Sequence, residues 1–500
     1  MPPWAKSTRT RKYSGGDPVP LPAGQQDAAG ADPGKQPDPS AQLRRRLGRL
    51  DLTTMGIGTM VGAGIFVTTG VAAAEKAGPA IVVSFALAGV VCMLVALCYG
   101  ELAAMVPVSG SAYTYTRSTL GVAPAFLVGW NLVLEYVVAG AAVAIGWSGM
   151  LGASLEALFG VTLPHAISAA PADGGIVNLP AVLAIALIVL VLALDVSFTA
   201  RVTKALVLVT IGVLVVVVVI GAPHLDSANW APFTPFGVHG IIGGAALAFF
   251  AFLGFDVVAT SAEESLRPQR DVPFAIIVSI LVATGLYMAV SAVLTGVAPY
   301  RSLDNAAPVA TAFKALDVGW IGTFVLVASV FALAKGLLMI MYGQTRLLFA
   351  MCRDRMLPPA LARTSRRTGA PVRSAVALGV LGAVIAGFTP IDVVAELTNV
   401  GALFAFAGVA LGVLVLRRTQ PERERPFRTP LMPVVPLLAL GGCVLLACTL
   451  AGLTWLRFAI WLVVGIALYA GYGRRQRSAG SDSPPQDTAG RLTAAHQESR

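Results

Sequence analysis

Residues Ala245 to Ser265 read AALAFFAFLGFDVVATSAEES: an apolar run of membrane-crossing character that carries Gly254 and the carboxylate of Asp256 in its middle. A second such run, Gly56 to Val67, reads GIGTMVGAGIFV and places Gly56, Gly58, Gly62 and Gly64 within nine residues. Each glycine weakens a helix interior by ~1 kcal/mol relative to alanine. The glycines of the second run alone fit close helix packing as well as they fit an opened backbone. The two runs together say more. They head two successive sets of five apolar spans, and interruptions at matching places of two halves point to inverted repeats around a midplane site.

The rest of the composition agrees. The 500-residue chain is 56% hydrophobic and 12% charged, whereas soluble domains average roughly 45–50% and 25%. Its apolar residues fall in blocks of about 20, the length that crosses ~30 Å of hydrocarbon. The expected fold is an all-α polytopic membrane protein with 12 transmembrane helices. The spans start near Leu52, Pro79, Pro124, Leu179, Lys204, His239, Val272, Gly319, Val372, Asp392, Val434 and Trp455. Residues 1–47 and 474–500, rich in Pro, Gly and charge, are expected to be disordered tails on the cytoplasmic side, flanking a membrane domain over 48–473.

Basic residues set the direction. With the N-terminus inside, 31 of the 36 lysines and arginines lie on the cytoplasmic side and four outside, with Lys335 left inside span 8. The net charge of +10 therefore reads as membrane topology, with arginines placed to meet anionic lipid head groups. No basic stretch is interleaved with stacking aromatics, so nucleic acid is not an expected partner. The absence of GxxxxGK[ST] argues against ATP-driven work. No metal or other cofactor is expected: His165, His224, His239 and His496 are not spaced with cysteines or carboxylates as ligands would be. Catalytic residues are likewise not expected, since no Ser/His/Asp arrangement stands at a membrane face.

An opened backbone at both breaks has a definite chemistry. Freed N–H groups beside Gly62, Ala63 and Gly64 suit an anionic carboxylate. Freed carbonyls around Phe250, Ala251 and Leu253 suit an ammonium group. A zwitterion such as an α-amino acid satisfies both at once.

At this point four segments can be set side by side: GIGTMVGAGIF, YGELAAMVPVSGSAYTYTRSTLG (99–121), FFAFLGFDVVATSAEE (249–264) and MYGQTRLLFAMCRDRMLP (341–358). In this order they resemble the cationic amino acid transporter family of the amino acid–polyamine–organocation superfamily, and the resemblance extends over about residues 47–474. It implies a five-plus-five inverted repeat with helices 1 and 6 broken, and an amino acid held by Ala63 and Gly64 at its carboxylate and by the carbonyls of Phe250, Ala251 and Leu253 at its amine. Met60 and Leu333 fall where that family lines the side-chain pocket. The expected activity is a secondary active or facilitative permease working by alternating access, with proton coupling as a further expectation.

One departure from the family stands out. Proton-coupled bacterial relatives carry a lysine in span 5 where this chain has Thr210, and relatives carry a small hydroxyl residue where this chain has Lys335 in span 8. An ammonium near the bilayer centre costs at least ~2.5–3.5 kcal/mol. The expectation is that Lys335 supplies from span 8 the charge others supply from span 5, tying helix 1 to helices 6 and 8, with Asp256 as a candidate partner. It would act as a proton switch or as a fixed charge in place of a bound sodium ion. Glu135 in span 3 has two readings, contact with a cationic substrate side chain or a polar helix interface. Glu101, at the end of span 2, also has two, inward gating or a solvated helix end. Glu263 and Glu264 are expected to face a cytoplasmic vestibule with Arg267. Competing functions are a polyamine or organic-cation carrier, which would not use the helix 1 amides, and an amino-acid-sensing membrane receptor.

Overall fold

The computed structural model describes residues 47–62, 64–106, 111–194, 196–305, 307–314, 319–362 and 371–473. Ala63, Asp195 and both tails lie outside them. Among the described residues all regular secondary structure is helical, apart from one isolated bridge between Leu47 and Ser265. Eight helical stretches are long and apolar enough to cross a membrane, and three shorter apolar helices accompany them.

The spans correspond to helices as follows. Span 1 begins as Arg49–Met60 and resumes after its break as Gly64–Thr68, Thr69–Ala72 and Ala73–Ala77. Spans 2, 3 and 4 are Ile81–Met105, Val122–Phe159 and Leu179–Leu194. Span 5 is Val196–Gly221, which starts upstream of Lys204, so that Arg201 and Lys204 fall inside the helix instead of marking its start. Span 6 is Gly237–Ala248, continued past its break by Asp256–Thr260. Spans 7 and 8 are Pro268–Val297 and Gly319–Arg353, the latter one uninterrupted helix as its length and apolar pattern predict. Val372–Phe388, Ile391–Thr419, Val434–Ala447 and Gly452–Leu468 make up spans 9 to 12.

Packing sorts these helices into two layers. Span 7 lies along span 2 and the first half of span 1, and span 6 packs on span 2. Span 8 lies along span 3, while span 9 packs on spans 3 and 4. Span 10 touches both layers, and span 5 lies between spans 1, 7 and 8. Outward faces carry exposed leucines, valines and isoleucines, such as Leu183, Leu187 and Leu190 on span 4 and Ile460, Val463 and Val464 on span 12. Exposed apolar rows on this scale would aggregate in water and are the ordinary surface of a helix in lipid. The protein is therefore a multi-pass membrane protein.

The paired helix breaks as candidate substrate site

Both interruptions fall where the sequence places them, and each has a local cause. The first half of span 1 stops at Met60; Val61 turns extended (ψ 96°), and helical structure resumes at Gly64 with a π-helical turn. A helix start leaves its first N–H groups without intrahelical acceptors, and wide turns of this kind recur at functional sites. Here Ile65 N and Phe66 N both reach back to the Gly62 carbonyl at 3.3 Å. The hydroxyls of Thr68 and Thr69 donate to the Gly64 carbonyl at 2.7 and 3.1 Å, holding the second half rigid.

In span 6 the helix tightens to a 3-10 turn over Phe249–Phe252, Leu253 turns extended (ψ 139°), and Gly254 takes φ +106° before Asp256–Thr260 begins. That φ lies in the region L-residues avoid, and a Cβ on Gly254 would also collide with the Thr59 side chain. The breaks touch directly: a Cβ on Gly64 would fall on the Ala251 backbone. Two residues away the packing is the reverse. Gly62 is buried, yet an added Cβ there would meet no neighbouring heavy atom within 4 Å. A buried glycine facing open space marks a hollow at the break in span 1.

The residues expected around this hollow have definite surroundings. Met60, Leu253 and Leu333 are buried. The Phe250 carbonyl accepts from Leu253 N at 3.3 Å, and the Ala251 carbonyl accepts from the Tyr287 hydroxyl of span 7 at 2.9 Å. Ala63 lies outside the described residues.

Lys335 is 1% exposed, and its Nζ donates to the Val61 carbonyl at 3.2 Å. The Lys335 side chain thus caps the carbonyl end of the first half of span 1, the end where a helix dipole favours positive charge. The candidate pairing with Asp256 is not made. Asp256 stands in the first turn of the second half of span 6, where a carboxylate is favoured by the dipole, and its Oδ2 accepts from the Tyr136 hydroxyl of span 3. Thr210 turns its hydroxyl to its own helix, donating to the Leu206 carbonyl at 2.7 Å.

Glu135 is buried against span 10, where Gly401 packs on its Cβ, and its Oε2 has no partner. One turn earlier Asn131 Nδ2 donates to the Gly401 carbonyl at 2.6 Å. Glu101 is neither solvated nor half-exposed. At 0% exposure it accepts from Arg417 Nε and Nη2 at 2.8 and 2.9 Å, from Arg425 Nε at 3.2 Å and from the Thr429 amide at 2.8 Å. Glu264 takes Arg346 at 2.7 Å and the Tyr342 hydroxyl at 3.2 Å, because span 8 packs beside this end of span 6. The side chain of Glu263 lies outside the described residues.

Sequence reasoning missed Tyr136, Tyr287, Arg346, Arg417 and Arg425. Tyrosines in an apolar helix read as core aromatics, and arginines at the cytoplasmic face read as topology. The available signal was a buried acid in need of a donor: Asp256 and Glu101 each had to find one.

Two broken helices abutting in an all-helical membrane domain define a carrier of small solutes. Residues 47–469 match the family model described as amino acid permease, and the chain belongs to that family. It is 42% identical over 438 residues to the methylthioribose transporter of Bacillus subtilis (strain 168), covering 87% of this chain and 95% of that one. The branched-chain amino acid permease BcaP of the same organism is 40% identical over 438 residues, 87% and 94% of the two chains. Human cationic amino acid transporter 4 is 32% identical over 560 residues, 87% and 88% of the two chains.

Proposed function

We propose that the protein moves α-amino acids across the cytoplasmic membrane by alternating access, holding the substrate carboxylate at the span 1 break and its ammonium at the span 6 break. The observation that carries this reading is the open space beside the buried Gly62, at the start of a half-helix, where the backbone dipole favours an anion. Twelve crossings in a five-plus-five inverted repeat fit the helix contacts. Spans 2 and 7, 3 and 8, and 4 and 9 are matching members of the two sets, and each pair packs together. The bias of basic residues supports both termini in the cytoplasm.

Lys335 serves as the basic group of this site. Its ammonium occupies the carbonyl end of a half-helix, the kind of place where related architectures hold a coupling cation. Transport is then expected without added sodium, and Thr210 takes no part in coupling. The buried neighbours Met60 and Leu333 favour a substrate with an apolar side chain, in keeping with the branched-chain permease among the relatives.

A second reading follows from the methylthioribose transporter, whose named substrate is a sugar thioether with neither ammonium nor carboxylate. One panel separates the two. Thermal unfolding of the purified protein is followed with each of the twenty amino acids, with methylthioribose and with putrescine, since a bound ligand stabilises the fold by mass action. Stabilisation by an α-amino acid, lost when its carboxylate is made an amide, supports the reading; stabilisation by methylthioribose or putrescine alone overturns it.

A further inference from the structure

Ala251 is held from two sides. Gly64 of span 1 packs against the Ala251 backbone, and on span 7 the Tyr287 hydroxyl donates to its oxygen at 2.9 Å. Tyr287 has 0% exposure and is itself wedged by two rings, Phe85 of span 2 at 5.5 Å and Phe252 of the span 6 turn at 5.2 Å between centroids. This is more fixing than one peptide group needs for packing. The turn Phe249–Phe252 is 3-10, with poorer hydrogen-bond geometry than an α-helix, and Leu253 beyond it is extended. The Ala251 carbonyl, near the end of this turn, takes its donor from outside it, the Tyr287 hydroxyl.

We propose that Tyr287 is a positioning residue for the substrate's ammonium group, fixing the direction of the Ala251 carbonyl from span 7. A carbonyl oxygen has two lone pairs; the phenol takes one and leaves the other for the substrate's ammonium. The phenol also brings a second acceptor, its own oxygen, to the same spot. Lys335 performs the matching service on the Val61 carbonyl of span 1. Each break thus has one carbonyl held by a side chain from a neighbouring helix. This inference rests on the amino-acid reading above, because it assigns a role at the amine end.

The test is Tyr287→Phe, which keeps the ring between Phe85 and Phe252 and removes only the hydroxyl. The probes are the amino acid that most stabilises the wild type and its deaminated analogue, the carboxylic acid with the same skeleton. Binding of the amino acid is expected to weaken about tenfold or more, as loss of an aligned contact to a charged group does. Its KM should rise with kcat little changed, and competition by the deaminated acid should stay as in the wild type. Phe85→Leu, which loosens the ring but keeps the hydroxyl, should shift the same ratio in the same direction by a smaller factor, and it serves if Tyr287→Phe does not fold. Equal losses for both probes would mean a structural role and overturn the inference, as would unchanged binding of both. If no amino acid stabilises the wild type, the amino-acid reading fails and takes this inference with it; a wild-type response that Tyr287→Phe preserves defeats the inference alone.

Discussion

Gly62 and Gly64 are two residues apart and carry opposite burdens. A Cβ on Gly64 would land on the Ala251 backbone, so the two broken helices would have to separate to admit it. A Cβ on Gly62 would enter empty space, so the fold tolerates it while the hollow shrinks. Gly62→Ala is therefore expected to unfold within a degree or two of the wild type yet lose most of its substrate-induced stabilisation. Gly64→Ala is expected to cost about 1–3 kcal/mol of stability through overpacking. Thermal unfolding with and without substrate measures both. If Gly62→Ala responds to substrate as the wild type does, the hollow is not where the carboxylate sits. Both glycines were visible in the sequence as members of one four-glycine run; which of them faced a neighbour and which faced space was not, because that depends on span 6, nearly two hundred residues away.

The helical elements are held at their ends by charges that act across the sequence. Lys335 on span 8 caps span 1, and Met in its place keeps the length and the apolar stem but removes the donor to Val61. Lys335→Met is expected to fold, since replacing a buried charge by an apolar group of similar size is often neutral for stability. Uptake into liposomes should fall about tenfold or more, as for loss of a hydrogen bond from a charged group. Measured with and without a pH gradient, unchanged uptake and an unchanged pH response would remove Lys335 from the mechanism. Glu101 behaves differently. It joins span 2 to the end of span 10 and the segment after it through Arg417 and Arg425, residues 316 and 324 positions further on. Glu101→Gln leaves the buried Arg425 guanidinium without a counter-charge, a loss of about 3–5 kcal/mol by the usual cost of breaking a buried pair. A fall in thermal midpoint that Arg425→Met added to Glu101→Gln partly restores would confirm that the uncompensated cation is the cause. The breaks, the odd lysine and the buried acids were all legible as residues that do not belong in an apolar helix. Their partners were not. Val61 offers a backbone carbonyl that leaves no mark in sequence, Tyr136 and Tyr287 match the periodicity of any packed aromatic, and the arginines that close on Glu101 and Glu264 are indistinguishable from those that only set topology.

For the molecule as a whole, the arrangement of ion pairs distinguishes the two layers of helices. Arg49 meets Asp271 at 3.2 Å and stacks over Phe274 at 4.5 Å, joining spans 1 and 7 within one layer. Leu47 reinforces that layer through backbone bonds to Glu264 and Leu266 at 2.9 and 3.0 Å. Glu264, by contrast, reaches across to span 8, where Arg346 binds it at 2.7 Å with its guanidinium 3.3 Å from the centre of the Tyr342 ring. Arg117, in the helix Ser111–Leu120 between spans 2 and 3, pairs with Asp354 at the end of span 8, and Tyr113 donates to the same carboxylate at 2.8 Å. If the layers rock against each other to expose the site to the cytoplasm, the Glu264–Arg346 pair has to break and the Arg49–Asp271 pair does not. Arg346→Gln should therefore shift the population toward the state open on the cytoplasmic side, and Arg49→Gln should not. The reporter is Ser261→Cys, at 0% exposure just after the second half of span 6, in a background with Cys92, Cys98, Cys352, Cys443 and Cys448 replaced by serine or alanine. Loss of one partly exposed pair is worth about 1 kcal/mol, which predicts a labelling rate by an impermeant maleimide in inside-out vesicles roughly fivefold higher for Arg346→Gln. Equal labelling of the two variants would mean that the layers do not separate along this seam and that access to the breaks opens elsewhere.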